Sequence, residues 1–171
     1  MTTNAKRPAV DREGLDDAVR ETATLSVIEP GVDRDEVAAD GRVGAVAYPY
    51  RAYRGRATMS RPFLDDRVQE YVVTVDRSRR LTLRADTYPE PVTRTIEDVL
   101  QLPSEVTAAQ CQEMARDAVF KWTLRSFSLH STPDIDVEDP LDVYKLFWIV
   151  ERDDGDVIVD SVDGTERALE D

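Results

Sequence analysis

The chain has 171 residues, 41% of them hydrophobic and 33% charged, enough apolar material for one domain's core beneath a heavily charged surface. That balance excludes wholesale disorder. The formal net charge is -13, from 35 acidic and 22 basic residues, and the only lysines are Lys6, Lys121 and Lys145.

An acidic coat of this kind repels itself in dilute salt; at molar salt the Debye length falls to about 3 Å and the repulsion is screened. The composition is that of a halophile-like, salt-adapted protein, although a genome rich in Arg and Asp codons gives a similar bias. Cys111 stands alone, so no intramolecular disulfide can form and no zinc site can be built from thiols. Residues 1–10 lack an apolar stretch behind their two basic side chains, and no apolar run approaches the ~20 residues that span a bilayer. The expectation is a soluble, cytoplasmic protein without a membrane partner.

In chain order, residues 1–41 carry 10 acids and 5 bases and are expected to form an acidic, partly flexible N-terminal segment. About ten flexible residues come first, then a short helix over 11–20 on Leu15, Ala18 and Val19. A strand over 25–28 follows, closed by Glu29-Pro30-Gly31, and then a helical turn over 33–39. Residues 42–171 are expected to form a single α+β domain. Its first part, 42–94, holds 11 arginines against 6 acids. Val43, Ala45 and Ala47 alternate as one strand, and 53–59 is a second, with Gly55 marking a bulge. Tyr71, Val73 and Val75 alternate, Asp76 to Arg79 turn, and Leu81, Leu83 and Ala85 resume the alternation as a hairpin. Pro89 and Pro91 are expected to end the sheet segment.

A short helix is expected over 96–100, before Pro103. The spacing of Thr107 and Gln110 then predicts a capping box, and Cys111, Met114, Ala115, Ala118, Val119 and Trp122 line one face of a helix over 107–127. Residues 141–150 read as a strand covered on both faces. Asp153-Asp154-Gly155-Asp156 is a hairpin turn leading into a strand over 157–160, and Asp163-Gly164 is another turn. The fold expected is α+β, an antiparallel sheet of about five or six strands with the long amphipathic helix packed on one face. In its core Trp122, Phe120 and Met114 are expected to meet Tyr144, Leu146, Trp148, Val73 and Leu83.

The catalytic inventory is thin. His130 is the one histidine, with Asp134 or Asp136 as candidates to orient it as a general base, but a surface loop explains it better. The run Asp134, Asp136, Glu138, Asp139 and Asp142 lacks the glycine and closing glutamate of a calcium loop. No glycine-rich phosphate loop is present. No catalytic residue, metal site or cofactor is therefore assigned.

The feature that departs from a uniform acidic coat is the interleaving of arginine and tyrosine. Tyr50, Arg51, Tyr53, Arg54 and Arg56, with Arg80 and Arg84 on the hairpin, form the candidate binding set. Arginine pairs bidentately with carboxylates, and arginine with tyrosine also suits phosphates and unpaired bases. The leading expectation is a non-catalytic protein-binding or assembly module that uses this surface on an acidic protein partner or on itself. Nucleic-acid binding through the same segment is the alternative, and a carboxylate- or cation-dependent enzyme is third. Internal pairing of the arginines with the chain's own acids is the structural reading that competes with all three.

Overall fold

The computed structural model of the chain describes residues 21–169; the helix expected over 11–20 and the flexible first residues lie outside them. Strand accounts for 54% of the described residues and helix for 15%. The α+β expectation of five or six antiparallel strands under a long helix is therefore corrected to a mostly-β chain. Its eight strands run in the order β4-β3-β2-β5-β1-β6-β7-β8, and a further β2–β6 pairing closes that order on itself. They are β1 (Glu21–Ile28), β2 (Val43–Arg61), β3 (Leu64–Asp76), β4 (Leu81–Ala85), β5 (Pro91–Gln101), β6 (Asp134–Val150), β7 (Val157–Asp160) and β8 (Glu166–Ala168). The helix, α1, spans Ala108–Ser126. The pairings are mixed, with β2–β5 and β1–β6 parallel and most of the others antiparallel.

Several expected elements are present. The hairpin of β3 and β4 is present, but its register sets Arg84 opposite Val73 and Thr82 opposite Val75, so the face expected for Leu83 is reversed and Leu83 is exposed. Helix α1 starts where the capping box places it, Thr107 Oγ1 accepting from the Gln110 amide at 3.2 Å and the Thr107 amide donating to Gln110 Oε1 at 2.9 Å. The two strands expected around Pro49 are one, β2. Its parallel pairing with β5 covers Ala45 to Ala47 and its antiparallel pairing with β3 begins at Tyr50, so the missing proline donor falls where β2 changes partner.

The helix expected over 96–100 is instead part of β5. Ile96 and Val99 have helical spacing and are both buried, because Asp98 at φ 52 resets the alternation in a bulge. On β1, Ala23 pairs with Ile96 and Glu21 with Val99 across that shift.

The chain divides into two compact units. Unit 1 holds described residues 21–48, 90–103 and 144–169, and its core gathers Leu25, Val27, Ala47, Val99, Leu146 and Trp148. The Trp148 indole nitrogen donates to the Val32 carbonyl at 2.8 Å, which satisfies the one polar atom of a buried ring. Unit 2 holds residues 49–89 and 104–143, and α1 packs there on β3, with Tyr71, Val73, Ala115, Val119 and Val137 in its core. The single core expected from the sequence is thus corrected to two. Met114, Phe120 and Trp122 do pack against the cluster that holds Val73, but Leu146, Trp148 and Tyr144 belong to unit 1, and Leu83 is exposed.

Candidate docking surface

Strand periodicity decides what each arginine and tyrosine of unit 2 can do. Along β2, Tyr53, Gly55 and Ala57 point into the core while Arg54 and Arg56 point out. Gly55 is needed by close approach: a Cβ there would lie 2.8 Å from Val119 Cγ2 on α1. Tyr50 and Tyr53 are each only 3% exposed, so neither ring is free to stack on a base. Burial raises the Tyr53 hydroxyl above its ordinary value, with the Arg51 guanidinium offsetting part of the effect. That hydroxyl is buried without a hydrogen-bond partner.

Arg51, Arg54, Arg56 and Arg77 are engaged with the chain's own acids. Arg51 holds Asp142 bidentately, at 2.8 and 3.0 Å, and this hydrogen bonding raises Arg51 further. Arg77 lies 3.5 Å from the same carboxylate. Arg54 is 3.5 Å from Asp139 and stacks 4.2 Å over the Tyr88 ring, and Arg56 is 3.6 Å from Glu70. Arg84 lies 4.7 Å over the ring of Tyr71. Arg80 is exposed, at φ 56 in the β3–β4 connection.

Of the seven candidate residues, three come together. Arg54, Arg56 and Arg84 line a groove of about 500 Å³, with Glu70, Asp86, Asp136, Glu138 and Asp139 around them. Three cations among five anions make it a mixed-charge surface that does not select a polyanion. Tyr50, Arg51, Tyr53 and Arg80 are not part of it. His130 is exposed, as are Asp134 and Asp136, and among the described residues no group of three or more His, Cys, Asp or Glu is placed to hold a metal ion.

The most exposed apolar feature lies elsewhere in unit 2, in a stretch the sequence reading left unassigned between residues 59 and 71. The β2–β3 hairpin turns at Pro62-Phe63, where Phe63 is 105% exposed, Leu64 65% and Val68 51%. Phe63 sits at φ 60, a backbone region bulky residues rarely adopt. Proline followed by a positive-φ residue is the pattern of a type II turn, whose second central position favours glycine. The tip is tied down on both sides. Arg61 Nε donates to the Asp65 carbonyl at 2.8 Å, and the Arg67 guanidinium stacks 4.4 Å over the ring of Phe127 just past α1. A signal was present in the sequence: a proline turn with Phe-Leu at its apex, between Arg61 and Asp65.

Among the described residues no helix is long and apolar enough to cross a membrane. Comparison with family models, with curated proteins and with solved structures gives no match.

Proposed function

We propose that the chain is a non-catalytic protein-binding or assembly module of a salt-adapted cytoplasmic protein, and that it docks through the tip of the β2–β3 hairpin. The observation that carries this reading is the full exposure of Phe63, with Leu64 next to it and exposed Val68 further along β3, on a hairpin held by Arg67 over Phe127. Exposed aromatic and aliphatic side chains grouped in this way mark contact sites for other macromolecules, and aromatics are the usual anchors of such contacts. The Arg/Tyr surface first expected to bind contributes less, because Arg51, Arg54 and Arg56 face carboxylates and Tyr50 and Tyr53 are buried. The nucleic-acid alternative weakens for the same reason, having lost its stacking groups.

The test is purification from native cells in molar KCl, with mass by light scattering and absorbance at 260 and 280 nm. The wild type is expected to elute in a protein complex heavier than the 19.3 kDa chain, and Phe63→Asp to elute alone. A nuclease-sensitive excess at 260 nm, or a complex unaffected by Phe63→Asp, would contradict the reading.

A further inference from the structure

From the hairpin tip and a socket elsewhere on unit 2, we infer that the partner of Phe63 is a second copy of this chain. This docking rests on the protein-binding reading of the hairpin. The socket lies between α1 and β4, is about 350 Å³ in volume, and has Leu81, Met114 and Trp122 as its apolar lining. That volume falls within the range of about 300–1,000 Å³ found for sites that enclose organic groups. Arg80, Lys121 and Arg125 rim it, with one acid, Asp117, 2.9 Å from Lys121.

Charge selects the occupant. Phe63 and Leu64 are followed directly by Asp65 and Asp66, both exposed, while the flanking Arg61 and Arg67 are turned back onto the Asp65 carbonyl and the Phe127 ring. On a chain of net charge -13, most surfaces would repel an apolar plug carrying two carboxylates. The socket rim is cationic and holds one of the three lysines in the chain. The socket thus offers apolar side chains for the ring and cationic side chains for the two carboxylates. Phe63 does not occupy the socket of its own copy, since it is fully exposed. Because plug and socket are different patches, two copies either exchange hairpins about a two-fold axis or dock one way into a longer chain.

The experiment is sedimentation equilibrium of the purified chain over a range of concentrations, in the lowest KCl that keeps it folded. The wild type is expected to exceed the monomer mass of 19.3 kDa, and Phe63→Gly, which suits the turn, to stay monomeric. Asp65→Lys with Asp66→Lys, and Lys121→Glu with Arg125→Glu, are each expected to weaken association at least tenfold alone and to restore it when mixed. A monomeric wild type, an oligomer that persists in Phe63→Gly, or charge reversals that do not rescue each other would overturn self-docking. A wild type monomeric when pure, yet held by Phe63 in a complex from native cells, would leave the protein-binding reading standing and defeat only the second-copy assignment.

Discussion

Phe63 occupies a backbone position that glycine fills without strain, and the left-handed region costs an L-residue about 1–2 kcal/mol. Phe63→Gly is therefore expected to raise stability by about 1 kcal/mol in urea unfolding; a loss of stability would show that the ring supports the fold. Cys111 and Tyr53 carry a different signal. Burial raises both groups above their ordinary values, so the folded state favours their neutral forms. Stability from such groups is fully present below their unfolded pKa values, about 8.5 for Cys and 10 for Tyr, and is lost as pH rises through the folded values. Urea midpoints are expected to fall above about pH 8.5, and the Cys111 thiol to resist an aromatic disulfide reagent until the chain unfolds. A flat alkaline profile with a rapidly reacting thiol would contradict this. The sequence showed Cys111 on the apolar stripe of its helix, and the structure buries it there. It gave no sign that Tyr53 would face inward and Arg54 outward, because β2 was read as two pieces and the piece over 53–59 had no assigned inner face.

Among the elements, α1 and the β3–β4 hairpin were legible because local chemistry specifies them, through the capping box at Thr107 and the unbroken period-two pattern of Tyr71 to Val75. The turn between these strands is built on Asp76, whose fully buried carboxylate accepts from the Ser78 and Arg79 amides and lies 2.5 Å from Arg79 Nε. Asp76→Ala removes the buried acceptor of the Ser78 and Arg79 amides and is expected to destabilise the chain by about 2–4 kcal/mol, read by urea unfolding. A change below about 1 kcal/mol would show the turn to be held by β3–β4 pairing alone. Strand β5 was misread as helical because the bulge at Asp98 gives two strand residues helical spacing. A bulge is fixed by the partner strand, β1, and a single segment cannot announce it. The hairpin tip was passed over for a related reason. An apolar pair after a proline reads as a broken strand until the turn is seen to leave it exposed.

For the whole molecule, the sequence indicated how much would be buried but not with what. Trp122 and Trp148 are both the kind of residue that anchors a core, and they anchor two different ones. Periodicity names the buried face of each element, whereas the partner of that face is set by long-range strand order. Charge acts at this scale too. A surface of net charge -13 is expected to make the thermal midpoint rise from dilute buffer to molar KCl. A midpoint that is flat or falls with salt would remove the salt-adapted reading.

The most direct test of docking through the hairpin places a photo-crosslinking phenylalanine analogue at position 63 in native cells, with the same analogue at exposed Val162 as the control. Protein adducts from position 63, absent or far weaker from position 162, are the predicted result. Equal labelling from both positions, or none from position 63, would contradict it.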